Sequence, residues 1–349
     1  MKLEYDSLHM AECLRLAQER LGYVAPNPMV GAVIARGSEV IATGVHRHFG
    51  ANHAEVEAIN KIPSDLNRAE LTLYVNLEPC CHFGKTPPCT QAIIASGIKR
   101  VVVACVDPFK EVSGGGIKQL RDANLNVTLG VLEKEAKDLN KRFFCFHQEK
   151  RPYIILKWAE TSDHFIAKPD GNSKWISCWE SRRLTHKWRS QEDAILVGTQ
   201  TALIDNPQLD VRHTSGPNPL RLVIDKQLSL SKQAHLLDQS LRTIVFNLIQ
   251  DSKQKNLEYR KLDRARSFLT QIMSDLFDRK VQSLLVEGGA ALHRSLLEMD
   301  LWDEIRVFRS EEEFKEGLSA PHLPDQLADI GVVEQKVGTD LLTILTKTH

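Results

Sequence analysis

Net charge is the first thing missing. With 45 basic and 45 acidic side chains in 349 residues the formal charge is zero, which removes the simplest electrostatic case for a nucleic-acid or membrane-surface partner. No apolar h-region follows Met1-Lys2-Leu3-Glu4-Tyr5-Asp6, and the longest apolar runs, such as Val101 to Val106, have strand length rather than membrane length. A soluble, unprocessed cytoplasmic chain with no membrane and no nucleic-acid partner is expected. Internal repeats and low-complexity tracts are absent. So is the basis for a disulfide framework, because seven cysteines is an odd number in a long chain without a secretion signal. Cys13, Cys105, Cys145 and Cys178 stand alone in apolar or aromatic settings and read as buried small hydrophobes. Metal or catalytic use therefore falls to the cluster Cys80, Cys81 and Cys89.

The length exceeds what one hydrophobic core ordinarily serves, so two domains are expected, residues 1–148 and 149–349. In the first, Leu8 to Arg20 has helical apolar spacing, stopped by Gly22 and Pro26-Asn27-Pro28. Strands follow at Val30 to Ala35 and Val40 to Val45, then a helix from His53 to Lys61, a strand from Leu71 to Leu77, a helix from Cys89 to Ser96 and a buried strand from Arg100 to Val106. A helix from Leu132 to Phe144 closes this part before Arg151-Pro152. The second part has strands from Tyr153, Ala194 to Val197, Leu220 to Ile224, Thr243 to Phe246 and Ser283 to Val286, with helices at Glu180 to Ser190 and Phe268 to Arg279. The polar stretch from Gln250 to Arg266 reads as a solvated excursion. Alternation of this kind predicts α/β layers on a largely parallel sheet in both parts.

A catalytic zinc ion requires three N or S ligands and an open position for water. His53, Cys80 and Cys89 supply that inventory, and Glu55, two residues from His53, can sit beside the water without ligating the metal. Each group follows a strand or turn and opens a predicted helix, whose positive end favours thiolates. His-x-Glu with Pro79-Cys80 and a non-ligating glutamate is the pattern of zinc deaminases. Zinc would lower the pKa of water, and Glu55 would take the proton and pass it to a ring nitrogen and the leaving amine. Cys81 and His82 are competing ligand candidates. The segment Cys81-His82-Phe83-Gly84-Lys85-Thr86-Pro87-Pro88 must loop out towards substrate. A structural zinc protein is the rival from another class, and Glu55 argues against it, since a closed structural site needs no adjacent carboxylate.

The long Cys-to-Cys loop, with Pro26-Asn27-Pro28, His53-Ala54-Glu55-Val56 and Leu77-Glu78-Pro79-Cys80, resembles one family, the bifunctional riboflavin-biosynthesis deaminase-reductases. The resemblance continues through Lys157, Ala159, Ser173-Lys174-Trp175-Ile176, Asp193 to Gly198, Thr201 to Pro207 and Val286-Glu287-Gly288-Gly289. It implies a cytidine-deaminase-like zinc domain followed by a dihydrofolate-reductase-like domain that binds NADPH. The implied reactions are hydrolytic removal of a ring amine from a phosphoribosyl-aminopyrimidine and then reduction of its ribosyl group to ribityl. By the same resemblance Asn27, His46, Lys85 and Asp107 meet substrate in the first domain, and Ser173, Trp175, Arg189, Leu209, Arg212 and Glu287 in the second. Cofactor roles fall to Ala159, Thr201, Asp205, Gly288 and Gly289, and a homodimer is a family expectation. A strand ending in Gly288-Gly289 before a helix also lets backbone N–H groups approach a phosphate.

The chain departs from the family pattern at three places. Thr161-Ser162-Asp163-His164 replaces a Ser-Leu-Asp-Gly turn, and losing that glycine removes the inexpensive route to a positive φ. Phe109 follows Asp107-Pro108 where asparagine is common. Arg309-Ser310-Glu311-Glu312-Glu313-Phe314 replaces a Pro-x-Leu-Gly-like segment. A second reading follows from these, in which only the deaminase works and the C-terminal domain is a degenerate binding or oligomerisation module.

Overall fold

The computed structural model describes residues 2–83, 87–109, 112–173, 176–323 and 330–347. The chain divides into two units, Met1–Lys150 and Arg151–His349. No helix among the described residues is long and apolar enough to cross a membrane.

In chain order the first unit contains α1 (Lys2–Gln18), β1 (Gly31–Arg36), β2 (Glu39–Val45), α2 (Ala54–Ile59), β3 (Thr72–Val75), α3 (Cys89–Ser96), β4 (Arg100–Val103), α4 (Gly115–Asp122), β5 (Asn126–Leu129), α5 (Glu133–Leu139) and α6 (Lys141–Glu149). The strand order is β2-β1-β3-β4-β5. β3, β4 and β5 run parallel, but β1 is antiparallel to both β2 and β3. The sheet is therefore mixed rather than largely parallel, because the connection at Gly37-Ser38 is too short for a crossover. Alternate residues face opposite sides. Ile34, Leu73, Val101 and Val103 pack with Ala54 and Ala58 of α2 and Ile93 of α3, while Val33, Tyr74 and Val102 pack with Met10 and Cys13 of α1 and Phe143 and Phe144 of α6. Burial of each such aliphatic side chain contributes roughly 1.5–3 kcal/mol.

Two details differ from the sequence reading. The helix expected over Leu132 to Phe144 is broken at Asn140, a buried residue whose side chain accepts from Met29 N at 2.8 Å and donates to Met29 O at 2.9 Å. A buried amide that must satisfy both its groups wins over helical continuity. Helix α4 and strand β5 were also not foreseen. β5 has no fully buried residue, so its apolar pattern is weak.

The second unit contains β6 (Tyr153–Glu160), β7 (Phe165–Ala167), α7 (Trp179–Arg189), β8 (Ala194–Val197), α8 (Thr199–Asp205), β9 (Leu220–Ile224), β10 (Thr243–Asn247), β11 (Ser252–Lys253), β12 (Leu257–Lys261), α9 (Phe268–Asp278), β13 (Ser283–Gly288), α10 (Ala290–Glu298), β14 (Glu304–Arg309), β15 (Leu318–Ser319), β16 (Ile330–Val337) and β17 (Asp340–Lys347). Its main sheet has the order β11-β12-β10-β9-β8-β13-β6-β14-β17-β16. Neighbours from β12 to β14 are parallel, and β17 and β16 close one edge antiparallel. Gln250 to Arg266 is thus not a solvated excursion. It holds β12, whose Leu257 is buried together with the following Leu262, two apolar anchors too few to show a period. From β8 the chain continues outward to β9 and β10, whereas β13 and β6 lie on its other side, and at such a reversal the carboxyl ends of the strands open a crevice.

The turn at Thr161-Ser162-Asp163-His164 keeps its left-handed residue without a glycine, with His164 at φ +64°. Thr161 Oγ1 donates to Asp163 at 2.5 Å and accepts from Phe165 N at 3.0 Å. Asp163 in turn accepts from the N–H groups of Phe314 and Lys315 at 3.2 and 2.7 Å, and Ser162 N donates to Glu312 O at 2.8 Å. Two of the chain's departures are therefore bonded to each other, and their hydrogen bonds offset a backbone cost of about 1–2 kcal/mol.

Candidate active sites

In the first unit the metal-binding inventory converges because two backbones approach with no side chain between them. A Cβ on Gly44 would lie 2.0 Å from Ala54 O, so only glycine lets α2 start directly on β2. A Cβ on Gly116 would lie 2.1 Å from Pro79 O, which seats α4 against the turn that carries Cys80. His53 is the N-cap of α2 and Cys89 the first residue of α3. Cys80 does not open a helix; it sits at the mouth of α3, accepting from Cys89 N at 3.3 Å. One ligand atom from each of His53, Cys80 and Cys89 lies within 4.8 Å of the others. His53 Nδ1 is 3.1 Å from Cys89 Sγ and 3.5 Å from Cys80 Sγ.

The electrostatics suit a cation. Hydrogen bonding from Cys89, and then from His53, holds the Cys80 thiol down at about 4 despite its burial. The same bond, with burial, pushes Cys89 up, so without a metal the pair shares one negative charge. A metal would draw both as thiolates. Cys81 and His82 fall outside this group among the described residues: Cys81 Sγ points to Val112 O and the His82 ring lies 6.2 Å from that of Phe109. Glu55 is buried, and burial raises its carboxyl while His53 opposes the shift. A nitrogen, two sulfurs and a neighbouring carboxyl that holds its proton readily fit a catalytic zinc site.

Around the triad, Asn27 Nδ2 donates to His46 Nε2 at 2.9 Å, and His46 Nδ1 donates to Asn52 O at 3.1 Å. His46 is buried, which lowers its titration, and it packs edge-on against His53 at 5.6 Å. Burial raises Asp107 to about 7. Glu78, which no sequence signal separated from Leu77-Glu78-Pro79, is buried and accepts from the N–H groups of Asp107, Gly114 and Ile117 at 3.2, 2.9 and 3.0 Å. It fixes the start of α4 and the Asp107 loop together. Lys85 lies outside the described residues.

In the second unit one cavity of about 1030 Å³ opens among the strand ends. Ala159, Ser173, Arg189, Thr201, Asp205, Leu209, Arg212, Glu287, Gly288 and Gly289 all line it. Trp175 lies outside the described residues. Arg189 and Glu287 form a two-pronged ion pair at 2.7 and 2.8 Å. Burial pushes both towards neutrality, yet each holds the other charged, so the Glu287 carboxyl ends below its ordinary range. Ser173 Oγ reaches Asp205 at 3.5 Å. Leu209 is buried at φ +51°, a strained setting for a leucine in a cavity wall.

The residues expected to meet cofactor sit where a phosphate can approach backbone. Gly289 has φ +93° and is the N-cap of α10, and a Cβ on Gly288 would strike Thr201 at 2.6 Å. His293 donates from Nε2 to Val286 O at 3.2 Å, while its buried Nδ1 has no hydrogen-bond partner among the described residues. An orphaned acceptor in the wall of an open cavity fits a site for a ligand with donors, as NADPH is. Lys157, His186 and His293 line the same cavity and were not among the candidates. A lysine inside the apolar run Tyr153-Ile154-Ile155-Leu156 was the available signal; burial lowers its amine, with Glu287 opposing.

Comparison with known proteins agrees with both halves. The model of the cytidine and deoxycytidylate deaminase zinc-binding region matches residues 3–105, and that of the RibD C-terminal domain matches residues 152–310. Riboflavin biosynthesis protein RibD of Aquifex aeolicus (strain VF5) is 40% identical over 334 residues, 94% of this chain and 91% of the relative. The protein of the same name from Escherichia coli (strain K12) is 34% identical over 320 residues, 87% of each. The crystal structure of a diaminohydroxyphosphoribosylaminopyrimidine deaminase/5-amino-6-(5-phosphoribosylamino)uracil reductase from Thermotoga maritima matches with TM-score 0.91 and 35% identity, covering 100% of both chains. Acinetobacter baumannii RibD matches with TM-score 0.88 and 28% identity over 99% of this chain and 100% of that one.

Proposed function

The chain belongs to the RibD family of riboflavin-biosynthesis proteins, and from that premise we propose how its residues divide the work. It is a bifunctional enzyme with a cytidine-deaminase-like unit that uses Zn²⁺ and a dihydrofolate-reductase-like unit that uses NADPH. The first reaction hydrolyses an amine from 2,5-diamino-6-ribosylamino-4(3H)-pyrimidinone 5′-phosphate. The second reduces the ribosyl group of 5-amino-6-(5-phosphoribosylamino)uracil to ribityl. The reading of the second unit as a degenerate module is not favoured, since candidates scattered from Ala159 to Gly289 line one cavity. That convergence is the observation that carries the assignment.

In the deaminase, His53, Cys80 and Cys89 hold the metal. Zinc, when bound, supplies a Lewis acid that lowers the pKa of water. Glu55 moves the protons: its carboxylate, made more basic by burial, accepts one from the attacking water and delivers it to the ring nitrogen, then carries a second from the newly formed hydroxyl to the leaving amine. Asn27 is oriented by its bond to His46, which leaves its amide oxygen to accept from the substrate. Asp107, held near neutrality by burial, and Lys85 complete the substrate contacts.

In the reductase, Gly288-Gly289 and the start of α10, beside Thr201, would hold the diphosphate of NADPH, with Ala159 and Asp205 as further contacts, and the bound cofactor would supply a hydride. Ser173, Trp175, Arg189, Leu209, Arg212 and Glu287 hold the phosphoribosyl substrate. The Arg189–Glu287 pair keeps Glu287 ionised and fixed in place as an acceptor for sugar hydroxyls. Homodimerisation and cytoplasmic residence belong to the same reading on the resemblance alone.

The test supplies purified protein with the diaminopyrimidinone phosphate and records ammonia release and NADPH oxidation separately. Both signals are expected. Ammonia without NADPH oxidation would remove the reductase assignment, and undiminished ammonia release from Glu55→Ala would remove the proton-transfer assignment.

A further inference from the structure

His186 stands on α7 in the wall of the reductase cavity, 5% exposed, and no family role assigned above includes it. Its Nδ1 accepts the backbone N–H of Arg212 at 3.2 Å. A nitrogen that accepts an N–H carries a lone pair, so in the neutral ring the proton sits on Nε2. Burial first, then the nearby Arg189 and His213, lower its titration to about 4 and keep it neutral. The ring is also held edge-on against His213 at 4.5 Å. Its Nε2–H has no hydrogen-bond partner among the described residues, and the residue lines the cavity. The result is a donor of fixed tautomer and fixed direction.

The surroundings say which acceptor suits it. Arg189 is committed to Glu287, and Arg212 bonds Gln208 and Asp210, so the two guanidinium groups beside His186 already have partners while the imidazole does not. A neutral donor flanked by two guanidinium groups favours an anionic oxygen with several lone pairs, which is a phosphate. NADPH and the sugar substrate both carry phosphate. The cofactor's diphosphate is assigned to Gly288-Gly289, whereas Arg189, Leu209 and Arg212 are the substrate's assigned residues. We propose that His186 is a specificity-determining residue of the reductase, donating its Nε2–H to the 5′-phosphate of the ribosyl substrate. This rests on the substrate assignment under the proposed function.

The experiment is a cycle of variant against substrate. Dissociation constants are measured by calorimetry for 5-amino-6-(5-phosphoribosylamino)uracil and for its dephosphorylated nucleoside, with wild type, His186→Ala and His186→Gln, alongside NADPH oxidation. His186→Ala should weaken the phosphorylated compound about tenfold or more, the loss expected for one hydrogen bond to a charged group. Binding of the nucleoside and of NADPH should stay unchanged, which also shows that the unit folds. His186→Gln, whose amide N–H reaches the position of Nε2, should recover most of the loss. Equal weakening of both uracils, weakening of NADPH instead, or no change would overturn the proposal. If wild type binds phosphate-selectively through His186 yet oxidises no NADPH, the reductase reading fails while this one stands.

Discussion

The two sites are built on opposite plans. The zinc site draws its ligands from two short segments, 53–55 and 80–89, with the groups set at helix starts and a turn. Its chemistry depends on a charge to be supplied, since the hydrogen bond with Cys80 and burial push the Cys89 thiol up and burial raises the Glu55 carboxyl. The reductase cavity takes residues from β6, α7, α8, β13 and the loop at 206–212, and its buried Arg189 and Glu287 already balance each other. A site made by local spacing can lose its function through one atom and keep its fold. A site made by topology ties function to the stability of the sheet that gathers it.

The sharpest way to break this contrast is Glu55→Gln. Ammonia release should fall by a factor on the order of 10³, while NADPH oxidation with the deaminated substrate supplied stays at the wild-type rate. A parallel fall in both signals would show that the units are not separable. A chelator that strips the metal should likewise abolish ammonia release alone, and added zinc should restore it. For the second unit, Arg189→Met leaves Glu287 buried without a partner and should cost about 3–5 kcal/mol of stability. All five tryptophans (158, 175, 179, 188 and 302) lie in this unit, so selectively excited tryptophan fluorescence on denaturation reports it alone. An unchanged midpoint would show that the pair is not what steadies the cavity.

A smaller effect comes from Asp107, which titrates at about 7 when folded against 3.8 for the free group. The folded state then holds the extra proton. Its contribution is intact below pH 4 and is lost as pH rises through 7, by at most about 4 kcal/mol. Asp107→Asn should flatten that loss, measured as hydrogen exchange of α4 at pH 5 and pH 8. A slope equal to wild type would place the proton elsewhere. The smallest change expected is from His164→Gly. Releasing the left-handed strain should stabilise the second unit by no more than about 1 kcal/mol, read from the same fluorescence midpoint. Destabilisation would mean that the exposed His164–Glu160 contact at 3.0 Å outweighs the strain.

Legibility follows the same division. His53, Glu55, Cys80 and Cys89 could be picked out as candidates because metal chemistry demands particular atoms at short spacing, and the structure brings His53, Cys80 and Cys89 within 4.8 Å of one another. Cys178, taken for a buried apolar residue, is half-buried and donates to Val337 O at 3.2 Å, a partner from the far end of the chain. His186 gave no signal either, because its fixed tautomer depends on Arg212 N, brought to it by a loop. β12 hid within a polar stretch whose two apolar anchors became meaningful only beside β10.

By itself the sequence determined the two α/β units and a short inventory of metal-binding groups with a carboxylate beside them, because period, composition and ligand type are local properties. Only tertiary structure decided which of Cys81, His82 and Cys89 joins Cys80 and His53, that Thr161 to His164 and Glu312 to Lys315 support each other, and that residues from 157 to 293 face one cavity. Those outcomes depend on strand order and on close backbone approach at Gly44 and Gly116. Chain segments far apart in sequence meet there, and no local pattern encodes the meeting.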